Sequence, residues 1–112
     1  MQHLIPSRLT EQRKKHQITK IAASNKMGIT QSTYVRYENG DRNPTLATIK
    51  QMALILDTSA DYLTGQTDDP SADAYLITKE ESPLLFELIK NTSDMPDKQI
   101  KRVLAYSEKI RK

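Results

Sequence analysis

Four polar side chains lie close together between residues 31 and 36, and their types suit hydrogen bonds to the edges of nucleic-acid bases. They are Gln31, Ser32, Thr33 and Arg36. The amide of Gln31 can pair with adenine N6 and N7 or contact a phosphate, and Arg36 can make a bidentate contact to guanine O6 and N7. Ser32 can donate or accept, and Thr33 suits a thymine methyl or a phosphate. A solvated helix face has similar residues, so the side chains alone leave both interpretations open.

The chain around these side chains predicts two short helices joined by a glycine turn. Lys20 begins the first helix, and Gly28 supplies the permissive backbone of the turn. Thr30 can cap the second helix, which Asn39-Gly40 closes. Helix, glycine turn and helix with a polar outer face is typical of a helix-turn-helix, whose second helix enters the major groove of duplex DNA.

A second group of side chains suits the phosphate backbone, where contacts set the register of a protein on DNA. The group consists of Lys20, Thr30, Asn39 and Arg42. Asn39 could instead act only as a helix C-cap. The charge distribution agrees with a polyanion partner, because residues 1–65 hold nine Lys or Arg against five Asp or Glu. A solvated, lysine-rich surface would show the same balance.

The composition gives little support for catalysis or metal binding. The 112 residues include no cysteine, and the two histidines, His3 and His16, are too few for a zinc site. No nucleophile, base and acid stand in a catalytic pattern, and the three glycines, Gly28, Gly40 and Gly65, are all expected in turns. We therefore expect no enzyme activity, no metal and no cofactor.

The distribution of apolar residues favours a cytoplasmic protein without membrane contact. No apolar run approaches the roughly 20 residues that a helix needs to span a bilayer. The N-terminal residues lack the charged and apolar regions of a signal peptide. We therefore expect a soluble, cytoplasmic protein.

Apolar periodicity and turn residues predict an all-α fold in three parts: a five-helix bundle over residues 1–65, an exposed linker over 66–81 and a helical hairpin over 82–112. The N-caps expected at the starts of the bundle helices are Ser7, Thr19, Thr30, Thr45 and Ser59. The side chains expected to face the core are Ile21, Ser24, Met27, Tyr34, Tyr37, Leu46, Ile49, Met52, Ala53 and Leu56.

Residues 8–65 resemble the Cro/C1-type (XRE) helix-turn-helix repressors over essentially the whole segment. The matching stretches are Arg8-Leu9, Arg13, Gly28-Ile29-Thr30-Gln31-Ser32-Thr33, Arg36-Tyr37-Glu38-Asn39-Gly40, Pro44-Thr45-Leu46 and Asp61-Tyr62-Leu63-Thr64-Gly65. The resemblance implies a five-helix, lambda-repressor-like DNA-binding domain that places Gln31 and Arg36 at the bases. It also implies a structural ion pair between Arg13 and Glu38. The expected function is sequence-specific regulation of transcription by a repressor that binds a palindromic operator as a dimer.

Three places in the sequence depart from the family pattern. Lys20 stands where the second helix usually opens with glutamine. Ala23 and Ser24 stand where a large aliphatic residue and an alanine are usual, and Tyr34 replaces an aliphatic core residue. We expect the smaller Ala23 and the larger Tyr34 to compensate each other in volume.

The C-terminal segment, residues 82–112, is similar in a weaker way to the helical hook of small Gram-positive regulators of the SinR type. The similarity rests on helix spacing and on Lys101-Arg102-Val103-Leu104-Ala105-Tyr106. We expect this leucine-rich hairpin to form a homodimer, since each helix is too short to be stable alone. The alternative is a protein-interaction regulator or antitoxin, whose hairpin captures an antagonist protein or peptide.

Overall fold

The protein is described by a computed structural model over residues 3–111, and this part of the chain forms seven α-helices and no strand. In chain order the helices are α1 (Pro6–Lys15), α2 (Lys20–Met27), α3 (Gln31–Asn39), α4 (Leu46–Ile55), α5 (Ala60–Leu63), α6 (Pro83–Thr92) and α7 (Asp97–Ile110). They fall into two compact units, the first ending at Leu76 and the second beginning at Ile77. The predicted all-α fold is confirmed.

Four helices of the first unit begin with the hydroxyl caps that the sequence predicts. Thr19, Thr30, Thr45 and Ser59 each accept a hydrogen bond from the backbone N–H three residues further on. Such a bond satisfies one of the amide groups that have no partner in the first turn of a helix. The helix starts are therefore set by local chemistry.

The start of α1 differs from the prediction. The helix begins at Pro6 with Ile5 as its N-cap, and the Ser7 hydroxyl is not the cap. Proline suits the first helical position because it lacks the N–H that would otherwise go unpaired there, and its φ is already helical. The proline therefore sets this boundary one residue earlier than the expected serine.

The core of the first unit contains most of the side chains that the periodicity places there. The buried apolar side chains are Leu4, Leu9, Ala23, Met27, Tyr34, Tyr37, Ile49, Met52, Ala53, Leu56, Tyr62 and Leu63. Ile21 and Leu46 were predicted wrongly, because they are 54% and 44% exposed. Ile21 lies about 200° around the helix from Ala23, so α2 cannot bury both. The smaller side chain of Ala23 faces the core.

The first unit continues past Gly65, where we expected the bundle to end. Arg8 Nη1 donates to the backbone oxygens of Tyr62 and Thr67 at 2.6 and 2.7 Å, and Nη2 donates to Asp68 Oδ1 at 2.8 Å. The guanidinium also lies 4.2 Å from the centroid of the Tyr62 ring, a cation–π distance. We call these contacts the Arg8 clip, and they attach the segment after α5 to α1.

A second contact extends the attachment. Thr58 Oγ1 donates to the backbone oxygen of Pro70 at 2.7 Å, and Thr58 is only 1% exposed. The chain from Gly65 to Pro70 therefore packs on the bundle, whereas the sequence suggested an exposed linker from residue 66 onwards.

The second unit contains α6 and α7, which start close to the predicted Ser82-Pro83 and Pro96. Neither helix buries a residue fully. The large apolar side chains of this unit that stay exposed are Leu84, Leu85, Leu88, Ile89, Met95, Leu104, Tyr106 and Ile110. Within residues 3–111, none of the helices combines the length and the apolar character that crossing a membrane requires.

Candidate nucleic-acid interface

The turn between α2 and α3 has the geometry of a helix-turn-helix. Gly28 closes α2 with φ 68°, in the left-handed region that glycine adopts without strain. Ile29 then packs against the core, and Thr30 caps α3 two residues after the glycine. Ser24 lies buried on α2, and its hydroxyl donates to the Ile21 carbonyl at 2.7 Å. This replacement of the usual alanine therefore leaves no unpaired polar group.

Helix α3 has one buried and one exposed side. Tyr34 and Tyr37 are 0% and 7% exposed and fix the inner side. Gln31, Ser32 and Arg36 are exposed, and Ser32 and Arg36 lie one turn apart on the same side of the helix. The structure thus leaves these three predicted base-contacting side chains accessible to a ligand.

Thr33 differs from the other candidates for base contact because its hydroxyl takes part in the helix cap. Thr30 Oγ1 accepts from the Thr33 N–H at 3.2 Å and donates to Thr33 Oγ1 at 2.9 Å. Thr33 is also half-buried. The two threonines therefore orient the first turn of α3. Their methyl groups and remaining lone pairs stay available for contacts to DNA.

The side chains predicted to contact phosphates are all exposed. Lys20 lies at the start of α2, whereas Asn39 and Arg42 lie at and beyond the end of α3. Within residues 3–111 the ion pairs are Arg8–Asp68 and Arg13–Glu38, so the charges of Lys20 and Arg42 stay available. The residue that closes α3 in the left-handed region is Gly40, with φ 80°. The alternative in which Asn39 is the C-cap is therefore wrong.

Arg13 and Glu38 form the ion pair that joins α1 to α3. Arg13 Nε donates to Glu38 Oε2 at 2.6 Å, and Nη2 donates to Oε1 at 3.3 Å. The two side chains are 10% and 4% exposed. Arg13 Nη1 also donates to the Ile18 carbonyl at 3.0 Å, so the same side chain holds the α1–α2 connection.

Thr10 completes this arrangement and was missed by sequence reasoning. Its hydroxyl donates to Glu38 Oε1 at 2.9 Å. Burial by itself would raise the pKa of the Glu38 carboxyl, but the Arg13 guanidinium and the neighbouring hydroxyls of Tyr34 and Thr10 outweigh burial and lower that pKa. The spacing of three residues between Thr10 and Arg13, which puts both on one side of α1, is the signal that could have identified Thr10.

Tyr34 brings a buried hydroxyl into the same region. The residue is fully buried, and in the described part of the chain its hydroxyl has no hydrogen-bond partner. Burial raises the pKa of this phenol far above its usual range. The large ring and the small Ala23 belong to the same buried cluster, but the hydroxyl is an unsatisfied polar group in the core.

Known proteins are similar to this chain in sequence. A family model described as Helix-turn-helix (HTH_3) matches residues 9–63. Among curated proteins of Bacillus subtilis (strain 168), the chain is 40% identical over 63 residues to the uncharacterized HTH-type transcriptional regulator YobD, covering 56% of each chain. It is 41% identical over 59 residues to the HTH-type transcriptional regulator AnsR, covering 53% of this chain and 51% of the relative. The match thus spans about half the length of these relatives.

Two solved structures share the fold over nearly the whole chain. A transcriptional regulator from Listeria innocua aligns with a TM-score of 0.53 at 15% identity, covering 98% of this chain and 94% of the other. A chain of the SinR protein/SinI protein complex aligns with a TM-score of 0.52 at 20% identity, covering 94% and 95%. At these identities the likeness shows the all-helical fold and nothing further.

Proposed function

Residues 9–63 of this chain belong to the helix-turn-helix family, and on that premise we propose that the chain binds duplex DNA sequence-specifically and regulates transcription. The observation that carries the proposal is the division of α3 into two sides. Its tyrosines anchor it in the core, and Gln31, Ser32 and Arg36 remain exposed. A short, rigidly held helix with an exposed polar side is what direct readout in the major groove requires.

In this proposal α3 enters the major groove and reads bases through Gln31 and Arg36, with Ser32 and Thr33 as weaker contributors. Arg36 is the strongest determinant, because a bidentate contact to guanine is worth about 1–3 kcal/mol of discrimination. The Arg13–Glu38 pair supports this reading surface, since it ties the last turn of α3 to α1.

Contacts to the phosphate backbone hold the domain in register. Lys20 supplies one donor at the start of α2, and the exposed Asn39 and Arg42 supply others beyond the reading surface. Thr30 contributes near the start of α3, although its hydroxyl already caps that helix. These contacts give affinity for every duplex and weaken as the salt concentration rises.

Two copies joined through residues 82–112 would read two half-sites of a palindromic operator about one helical turn, ~34 Å, apart. Repression follows if such a site overlaps a promoter. The exposed leucines of α6 and α7 support assembly, because a soluble chain rarely leaves so many apolar side chains uncovered.

Selection of bound duplexes from a random pool, at a stated salt concentration, tests the proposal. We expect an enriched site with two-fold symmetry and a guanine at the position read by Arg36. If the bound sequences stay random even at low salt, sequence-specific binding is rejected. If the enriched site lacks symmetry, the palindromic part of the proposal fails.

A second candidate function is capture of another protein by the C-terminal hairpin, as in an antitoxin or a regulator with an antagonist. Two observations favour it: the exposed apolar side chains of α6 and α7, and the likeness to a structure that is a complex between two proteins, SinR and SinI. Both observations are equally compatible with a homodimer. The oligomeric state of the chain therefore decides between homodimer formation and capture of another protein.

Analytical ultracentrifugation of the full chain separates these candidates. A homodimer should sediment as such, and Leu104→Asp should convert it to a monomer, because Leu104 is 56% exposed on α7. Lys109→Asp is a matched control, since residue 109 lies about 140° around the same helix. A wild-type chain that is monomeric at all concentrations would argue for a different protein as the partner.

A further inference from the structure

A cavity beside α4 and α5 in the first unit has an apolar floor. Its volume is about 290 Å³, close to the ~300 Å³ at which small-molecule sites begin. Ala53, Leu54 and Ala60 line it from the two helices and their connection, and Ala74 lines it from the segment that follows α5. Leu54 is 37% exposed, so a ligand can reach the floor from the solvent.

The walls of the cavity are held by hydrogen bonds of the fold. Thr58 also lines the cavity, and its buried hydroxyl donates to the Pro70 carbonyl at 2.7 Å. The Asp61 carbonyl accepts from the Gln66 N–H at 2.8 Å. These two bonds attach the chain that leads to Ala74, so the cavity is formed before a ligand binds, which lowers the cost of binding.

Charges of both signs line the cavity. They are Lys50 on α4, Asp61 in the first turn of α5 and Asp73 in the segment that follows, and all three side chains are exposed. The ion pairs within residues 3–111 are Arg8–Asp68 and Arg13–Glu38, so Lys50 pairs with neither carboxylate of the cavity. A ligand with an ammonium and a carboxylate of its own can therefore pair with all three side chains.

We propose that this cavity binds a small zwitterion with an apolar side chain, which is the chemistry of an apolar α-amino acid. The ammonium of the ligand has three donors and contacts the carboxylates of Asp61 and Asp73. The carboxylate of the ligand accepts from the Lys50 ammonium, and the apolar side chain lies on the floor formed by Ala53 and Leu54.

The composition of the cavity argues against a metal ion as the ligand. Its two carboxylates are too few to coordinate one, and within residues 3–111 no group of three candidate metal ligands comes together. No lining residue belongs to α2 or α3, so the site goes beyond the proposed DNA binding and does not depend on it.

Titration of the full chain with L-leucine tests the assignment, followed by calorimetry and by the backbone amide signals of Ala53, Ala60 and Ala74. We expect saturable binding at about millimolar concentration, because the ligand is small and the charges are exposed. Three analogues each lack one part of leucine: 3-methylbutylamine lacks the carboxylate, 4-methylpentanoate lacks the ammonium, and glycine lacks the apolar side chain. Each should bind roughly fivefold more weakly than leucine.

Two sets of substitutions connect the charges of the ligand to the side chains of the cavity. In Lys50→Gln, leucine should bind no better than 3-methylbutylamine, because the partner of the ligand's carboxylate is gone. In the double variant Asp61→Asn/Asp73→Asn, leucine should bind no better than 4-methylpentanoate. Lys101→Gln and Asp97→Asn, exposed changes on α7, are the matched controls and should leave every affinity unchanged. Thermal unfolding shows whether each variant is folded.

Ala74→Leu tests the place of binding without any change in charge. Ala74 is exposed, so the larger side chain should fill part of the cavity without disturbing the core. Binding of leucine should weaken roughly tenfold or more, because the ligand and the new side chain compete for the same space. An unchanged affinity would show that leucine binds elsewhere and would overturn the assignment.

The analogues give three further results that would overturn the inference. Absence of leucine binding up to about 10 mM rejects the site. Equal binding of leucine and 3-methylbutylamine by the wild-type chain assigns the cavity to an organic cation and rejects the zwitterion. Equal binding of glycine and leucine shows that the apolar floor takes no part. None of these results bears on DNA binding, which the selection of duplexes tests separately.

Discussion

Arg13 Nε lies 2.6 Å from Glu38 Oε2, and this pair is the buried ionic contact between α1 and the last turn of α3. Thr10 donates to the same carboxylate at 2.9 Å. Because the Glu38 side chain is only 4% exposed, water cannot replace a lost partner. The orientation of the proposed reading helix is therefore tied to the integrity of this pair.

Removal of one partner should be costly. In Glu38→Leu the Arg13 charge stays buried without compensation, and we expect the free energy of unfolding to fall by about 3–5 kcal/mol. The double variant Arg13→Met/Glu38→Leu should lose much less, because no charge is left unpaired. Urea unfolding followed by circular dichroism measures both. A double variant that is as unstable as the single one would show that packing, and not the unpaired charge, dominates.

Acid should destabilise the protein. The hydrogen bonds to the Glu38 carboxylate favour its charged form, so its folded-state pKa lies below the ordinary value of 4.5. The stability that this carboxylate contributes is present above its unfolded-state pKa and is lost as the pH falls through the folded-state pKa. Thermal unfolding between about pH 5 and pH 3 should show this loss. Glu38→Gln should be less sensitive to pH over that range, and an equal dependence would contradict the assignment to Glu38.

Tyr34→Phe should not destabilise the protein. The Tyr34 hydroxyl is buried without a hydrogen-bond partner in the described residues, and an unsatisfied polar group of this kind costs about 1–3 kcal/mol. The free energy of unfolding should therefore stay constant or rise. Tyr62→Phe is the matched control, because the Tyr62 hydroxyl donates to Glu11 and its removal should lower stability. A clear loss in Tyr34→Phe would mean that its hydroxyl is hydrogen-bonded after all.

Arg36→Ala and Lys20→Ala should impair DNA binding in different ways. Arg36→Ala should cost about 1–3 kcal/mol at the selected site and relax the preference at one position. Lys20→Ala should weaken binding to all duplexes alike and reduce the salt slope by about one. Titrations against the selected site and a scrambled duplex at several salt concentrations measure both effects. If Arg36→Ala keeps the wild-type affinity for the selected site, α3 lies in the major groove with a different register along the bases.

The sequence predicts the local parts of this fold well. A hydroxyl cap depends on residues three apart, and four of the five predicted caps form, at Thr19, Thr30, Thr45 and Ser59. The exception is Ser7, because Pro6 begins α1. The inward tyrosines of α3 follow from the same short-range periodicity. The family resemblance adds the ionic partners Arg13 and Glu38, which periodicity alone does not connect.

The sequence does not predict contacts that depend on distant segments. Arg8 meets residues 54 to 60 positions away, and nothing near Arg8 in the chain marks those partners. Exposure at the edge of an apolar stripe is equally hard to predict, since Ile21 has the right chemistry for the core but the wrong angle on α2.

The Arg8 clip and the Thr58–Pro70 bond have a consequence for where the DNA-binding unit can be cut. Both hold chain that follows Gly65, and the first unit runs to Leu76. A chain cut at Gly65 loses the Thr67 and Asp68 partners of Arg8 and leaves the buried Thr58 hydroxyl without its acceptor. Such a chain should unfold at a lower temperature than one cut at Leu76.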